Sequence, residues 1–181
     1  MTEQTSTLTA ADERILRTAA HGTVALMAAA NPGPISSTKS GMAGGMAMTT
    51  ATGLTGHVLA AKAKDLDLAG ASTAEIVDRV FPALTASVVL LGAKAPAEVD
   101  NFRATIAMIT EAAMRSHRGE PRAAEAEMAR KIHQALDAGL TSTANGCVFS
   151  GVSCVSAIMA AGPRLRWLRP QATYMDRSRP G

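Results

Sequence analysis

The stretch GMAGGMAMTTATGLTGHVLAA, residues 41–61, carries no formal charge and decides which class of fold the chain can adopt. It is a membrane span, a helix packed inside a soluble bundle, or a segment without regular structure. Four Thr, one His and five Gly make it too polar for a span and lower its helix propensity. Its strongly apolar residues still recur close to helical spacing: Met42, Met46, Met48, Leu54, Val58 and Leu59.

This pattern predicts a soluble helix that packs through the apolar residues. Gly41 and Gly45 form a small-xxx-small pair, which allows a neighbouring backbone to approach closely. Because glycine lowers helix propensity, we expect this helix to be the least stable element of its bundle.

The composition of the whole chain also favours helices. Aromatic residues make up 3% of the 181 residues, whereas β-sheet proteins use more aromatic and β-branched residues in alternation. Alanine, the strongest helix former, is abundant, and methionine fills irregular gaps in cores. The sequence therefore predicts an all-α fold, a bundle of four to five helices.

Local signals mark the beginnings of two helices. Thr9, followed by Asp12 in the first turn, is the expected N-cap of one helix, and Ser72 with Glu75 has the form of a capping box. Pro82 is expected to kink or restart the second of these helices. Its apolar continuation is expected to be buried, although residues 87–91, SVVLL, are also compatible with one buried strand.

Further along the chain, Gly92 is the expected end of that helix and Pro96 the first turn of the next. A last helix is expected over residues 122–138. Residues 23–42 and 105–128 each combine a helix, a glycine-bearing turn and a second helix, which favours two stacked helical hairpins.

Charge is distributed unevenly between the body and the C-terminal end. Residues 140–181 contain five Arg and one Asp, whereas residues 1–139 contain 13 basic and 14 acidic residues. A nucleic-acid-binding face in the body is therefore not expected. We predict a helical bundle domain over residues 8–139 and a basic, weakly ordered tail over residues 140–181. The tail is a non-homologous or disordered end, a membrane anchor, or a basic arm.

The sequence also predicts a cytoplasmic location. The N-terminus lacks a positively charged region leading into an apolar one, so no secretory signal is expected. Cys147 and Cys154 have no second pair of cysteines and suit neither a zinc site nor a redox-active dithiol. We therefore expect reduced thiols in the cytoplasm.

Two segments resemble known proteins: GTVALMAAANPGPIS, residues 22–36, and EVDNFRATIAMITEAAMRSHRGEPRAAEAEMARKIHQAL, residues 98–136. They resemble a poorly characterised all-helical family of bacterial proteins, of a type found in actinobacteria. More distantly, they resemble the tellurite-resistance TerB fold, over residues 8–139. This resemblance implies a stress-related role and helix–acidic turn–helix units in which an Asp-Gly and a downstream Glu contact metal.

The turns of this chain depart from that metal-binding pattern. The first turn has Asn31 before Pro-Gly, with Lys39 or Ser40 at the acidic position, and the second keeps only Glu125. One carboxylate cannot hold a divalent ion. We therefore expect neither a metal site nor a cofactor.

Histidines are the remaining candidates for chemistry. His21 and His57 could meet if the first two helices pack antiparallel, but the chain has no Glu-x-x-His pair of the kind that helical di-iron sites use. It also has no Gly-x-Ser-x-Gly elbow and no phosphate-binding loop. No catalytic residue is predicted, and the candidate metal ligands are His21, His57 and Glu125.

These observations favour a non-enzymatic helical domain that acts through protein–protein contacts. The TerB resemblance implies a stress response as its setting, and the expected partner is another protein or a second copy of the chain. Two alternatives stay open: a small enzyme or metal-binding protein that uses the histidines, and a membrane-associated protein held by its C-terminal tail.

Overall fold

A computed structural model describes residues 8–31, 33–61, 66, 68, 70–116 and 122–144. These residues form six α-helices and one short 3₁₀-helix, Pro96–Glu98. The α-helices are α1 Ala10–Ala29, α2 Pro34–Met48, α3 Gly53–Ala60, α4 Thr73–Lys94, α5 Val99–Arg115 and α6 Ala123–Ala144. No strand occurs among the described residues, and residues 87–91 lie within α4. The prediction of an all-α fold is confirmed.

The stretch 41–61 forms the C-terminal half of α2 and all of α3 rather than one helix. This division explains why the described chain has six helices where four to five are predicted. α2 ends where the hydroxyls of Thr49 and Thr50 each donate to the carbonyl three residues earlier, at 2.7 Å. Such local bonds compete with continuation of a helix. Gly53 then adopts a φ of +67°, which glycine tolerates without steric cost.

The start of α3 is fixed by a carboxylate from the 3₁₀-helix. Oε2 of Glu98 accepts from the backbone N–H of Thr55 at 3.0 Å and from its hydroxyl at 2.9 Å. The side-chain amide of Asn101 donates to the carbonyl of Thr52 at 2.8 Å. Burial would raise the pKa of the Glu98 carboxyl, but the hydrogen bonds from Thr55 and Asn101 outweigh burial and lower it.

Both predicted helix starts are confirmed with their caps. The backbone N–H of Thr9 donates to Asp12 at 2.8 Å, and that of Asp12 donates back to the Thr9 hydroxyl at 3.3 Å. Ser72 and Glu75 make the same reciprocal pair before α4, at 2.7 Å and 3.3 Å. Nζ of Lys94 lies 2.5 Å from Oδ2 of Asp12, which links the start of α1 to the end of α4.

α4 is one continuous helix that includes Pro82, so the expected restart at this proline does not occur. The helix also passes Gly92 and ends at Lys94. Burial of Leu84, Val88 and Leu91 accounts for this continuity. The free energy gained by packing this apolar face offsets the cost of losing the backbone hydrogen bond that proline cannot make.

The core lies where α4 packs against α1 and α6, and where α5 packs against α2 and α1. Its largest fully buried apolar side chains include Leu16, Leu26, Leu84, Leu91, Phe102, Ile106, Ile109, Ile132 and Leu136. Two glycines mark close helix crossings. A Cβ at Gly22 would collide with Cγ2 of Val80, and a Cβ at Gly139 would lie 2.7 Å from Cβ of Val88.

Pairing of the helices differs from two separate stacked hairpins. α1 and α2 pack against each other along the chain, but α5 contacts α2, and α6 contacts α4, far more extensively than α5 and α6 contact each other. α6 begins at Ala123 and continues to Ala144, beyond the predicted domain boundary at residue 139. The rest of the predicted tail, residues 145–181, lies outside the described residues.

One helix among the described residues is long and apolar enough to cross a membrane, and it is α4. Its buried face contains Val80, Leu84 and Val88, which pack in the core between α1 and α6. Core helices of soluble proteins have the same length and composition, so this feature is weak evidence for a membrane span.

Candidate functional site

The three candidate metal ligands lie on three different helices. His21 is half-buried on α1, His57 is exposed on α3, and Glu125 is fully buried in the first turn of α6. Within the described part of the chain, no three His, Cys, Asp or Glu side chains are grouped so that they could hold a metal ion. The structure therefore does not assemble these candidates into a three-ligand site.

His21 has an unusual environment for an imidazole. Its Nε2 atom is buried and has no hydrogen-bond partner among the described residues. Burial lowers the pKa of His21, and the positive charge of Arg17 lowers it further. A lowered pKa keeps the ring neutral at neutral pH, which is the form that a partly apolar environment tolerates.

Glu125 belongs to a polar cluster that links the end of α1 to the start of α6. Its Oε2 accepts from the backbone N–H of Arg122 at 3.0 Å, and Nη1 of Arg122 lies 3.5 Å from Oδ1 of Asn31. The Asn31 amide and the Ser40 hydroxyl both donate to the carbonyl of Met27, at 3.2 Å and 3.4 Å. The cluster holds together the end of α1, the start of α6 and α2. Because Glu125 accepts from the backbone N–H of Arg122, its role in this cluster is to cap the start of α6.

An apolar ridge on the outer face of α2 is the most unusual surface in the described chain. Ile35, Met42 and Met46 are 73%, 64% and 70% exposed. Lys39, also exposed, lies between them at helical spacing. Soluble proteins usually bury side chains of this size and apolarity. We call Ile35, Lys39, Met42 and Met46 the α2 ridge.

The inner face of α2 explains why Ile35, Met42 and Met46 point outward. Its buried residues are Ser40 and Gly44. A Cβ at Gly44 would lie 3.4 Å from Ile109 of α5 and 3.5 Å from Val24 of α1. These are ordinary van der Waals distances, so Val24 and Ile109 already fill the space beside Gly44 and a small residue suits this position.

The placement of Met42 and Met46 corrects the prediction that they belong to the packing face of this segment. The small-xxx-small interpretation is also wrong for one of its two glycines, because a Cβ at Gly45 would meet nothing within 4 Å. Gly44, rather than Gly45, faces the neighbouring helices. Val58 of α3 is buried as predicted.

Charge on α2 itself is sparse. Lys39 is the only charged residue of α2, and no acidic residue of the described chain forms an ion pair with it. Other exposed charges of the described chain belong to different helices, and several are paired, as Arg115 is with Glu111. The α2 ridge therefore presents apolar side chains with one unpaired positive charge.

Comparisons with known protein families, with characterised proteins and with solved structures found no match.

Proposed function

We propose that this chain is a non-enzymatic helical module that binds another protein through the α2 ridge, in a cytoplasmic stress response of the kind that the TerB resemblance implies. The observation that carries this proposal is the exposure of Ile35, Met42 and Met46 on one helix face, at 73%, 64% and 70%. Clusters of large apolar side chains on a surface are typical of interaction sites. Covering one such side chain contributes about 1.5–3 kcal/mol.

The spacing of the ridge indicates the kind of element that would cover it. Residues 35, 39, 42 and 46 alternate steps of four and three, which is the seam that one helix offers to another. An amphipathic helix of the partner fits this seam. Because Lys39 is unpaired and the ridge has no carboxylate, the matching helix carries an acidic residue beside its apolar stripe.

A second copy of this chain fits the ridge less well. Two α2 helices packed against each other would bring two Lys39 side chains to one interface, and neither α2 contains a carboxylate to pair with them. Like charges at an interface disfavour a pairing. The argument from charge therefore favours a different protein as the partner.

Site-specific photo-crosslinking tests the proposal directly. A benzoylphenylalanine crosslinker replaces Met42 in the full chain, which is expressed in cells of its native host and irradiated. The matched control places the crosslinker at Lys131, an exposed residue of α6. We expect a discrete adduct from position 42 that is absent from position 131 and is lost when Met46→Lys is added.

The composition of the adduct decides between partners. Mass spectrometry is expected to find a second protein joined through an amphipathic helix that contains Asp or Glu. An adduct that contains only this chain would show self-association and overturn the assignment of a different partner. Equal adduct patterns from positions 42 and 131, or none from either, would refute binding through the α2 ridge.

A further inference from the structure

We propose that Met42 and Met46 form a reversible oxidation site, at which a peroxide converts both thioethers to sulfoxides and thereby weakens the contact made by the α2 ridge. The oxidation itself follows from the exposure and surroundings of the two sulfur-containing side chains. The effect on binding rests on the proposed function. The two parts have separate measurements below.

Exposure separates these two methionines from the others in the described chain. Met42 and Met46 are 64% and 70% exposed, whereas Met27 is fully buried. Met48, Met114 and Met128 are partly buried and pack against the core. Met108, on α5, is also exposed but less so, at 41%. Because oxidation needs access of the oxidant to sulfur, the two ridge methionines are expected to react first.

The surroundings of the pair leave both side chains open to a small oxidant. They lie one helical turn apart on α2, and Gly45 between them contributes no side chain. A Cβ at Gly45 would have open space around it. Solvent therefore reaches the helix surface directly beside both methionines.

The reaction balances with a peroxide as the only co-reactant. The sulfur lone pair attacks one peroxide oxygen, an S–O bond forms and the O–O bond breaks. The departing hydroxide takes the proton from the new S–OH group and leaves as water. Sulfur loses two electrons and the peroxide gains them, so each thioether consumes one peroxide and yields one sulfoxide and one water. Methionine sulfoxide reductases reverse the change.

Oxidation also affects Lys39, in addition to making the surface less apolar. Lys39 lies three residues before Met42 on the same face, where side chains of a helix meet. A sulfoxide oxygen is a strong acceptor, and the Lys39 ammonium is a donor without an acidic partner. A bond between them would occupy the charge that the proposed partner helix uses. Oxidation thus removes both the apolar and the electrostatic part of the contact.

The first experiment measures oxidation in the full chain without any partner. The protein is treated with limiting hydrogen peroxide, and peptide mass spectrometry follows sulfoxide formation at each methionine. We expect Met42 and Met46 to react at least about tenfold faster than Met27, which reacts only after the structure opens. Equal rates for the ridge and for the partly buried Met48, Met114 and Met128 would overturn the oxidation site.

A second measurement follows the surface itself. Oxidised wild-type protein is expected to elute earlier from a phenyl hydrophobic-interaction column, and incubation with both stereospecific sulfoxide reductases should restore the retention. The double variant Met42→Leu, Met46→Leu keeps the apolar ridge without its sulfurs, so peroxide should shift its retention much less than that of the wild type. Met108→Leu is the matched control and should shift as the wild type does. A shift of the same size in the double variant would overturn the proposal.

The binding arm uses the crosslinker at position 35, which leaves both methionines in place. We expect peroxide to reduce the adduct yield in the wild type and to leave it unchanged in the double leucine variant. An adduct that survives full oxidation of Met42 and Met46 would refute the switch while the proposed function stands. Absence of any adduct before oxidation would refute the proposed function and the switch, and the oxidation rates would stand alone.

Discussion

Substituting Gly139 by Ala tests how closely α4 and α6 are packed. A Cβ at this position would lie 2.7 Å from Cβ of Val88 and 2.8 Å from the carbonyl oxygen of Thr85. One atom is part of the α4 backbone and the other, a Cβ, is bonded directly to it. Neither can rotate away, so the two helices must separate. Thr85 donates its hydroxyl to the carbonyl of Ala135 at 2.8 Å, and separation would stretch this bond.

The opposing contributions give the sign of the change. Replacing Gly by Ala inside a helix gains about 1 kcal/mol of helix propensity. Overpacking a close contact costs about 1–3 kcal/mol, and a weakened interhelical hydrogen bond costs about 1 kcal/mol more. Gly139→Ala is therefore expected to lower the free energy of unfolding by about 1–3 kcal/mol, with a fall in melting temperature of about 2–4 °C per kcal/mol.

Urea unfolding followed by far-UV circular dichroism measures this change. The matched control is Gly45→Ala on α2, where a Cβ would meet nothing within 4 Å. Only the propensity gain applies there, so the control should be more stable than the wild type by up to about 1 kcal/mol. If Gly139→Ala were as stable as the control, the close crossing of α4 and α6 would be wrong.

Three further predictions test other parts of the structure. Glu98→Ala removes the acceptor that caps α3 and should lower the free energy of unfolding by about 0.5–2 kcal/mol; because the pKa of Glu98 is lowered from 4.5, the difference from wild type should be complete above pH 4.5 and shrink in acid, and a pH-independent difference would contradict a charged cap. Because the pKa of His21 is lowered from 6.5 by burial and by Arg17, the unfolded chain takes up its proton at a higher pH than the folded chain. The free energy of unfolding of the wild type should therefore fall as the pH drops through 6.5. His21→Gln should weaken this pH dependence, and an unchanged pH dependence in the variant would show that the ring is hydrated. Met46→Lys should change the free energy of unfolding by less than about 0.5 kcal/mol, and a larger loss in thermal unfolding would show that Met46 packs in the fold.

The sequence predicts helix starts well because their signals are local. Thr9 with Asp12, and Ser72 with Glu75, bond across three residues, so a short window of sequence contains the whole interaction. The division between α2 and α3 is different. Its stabilising carboxylate, Glu98, is 43 residues from Thr55. No local pattern shows that these residues meet, and one helix is predicted where two exist.

The candidate site could not be predicted from apolar periodicity alone. Periodicity places Met42 and Met46 on one face of a helix but does not say whether that face is turned inward. The small residues Ser40 and Gly44 are the signal that decides it, because they leave room for close neighbours on their own side. The inner face of such a helix can be recognised in the sequence from its small residues, which permit close packing. Hydropathy alone does not identify it.

The two faces of α2 have separate physical roles. The inner face contributes close contacts of backbone and small side chains, and its buried residues are Ser40 and Gly44. The outer face presents Met42 and Met46, which are mostly exposed and so contribute little to folding. A change of either methionine therefore alters the surface without opening the core, in contrast to a change at Leu84 or Val88 in α4. A surface that is separable from stability in this way can be covered by a partner or oxidised while the bundle remains folded, and variants of the α2 ridge should change binding and oxidation without changing the fold.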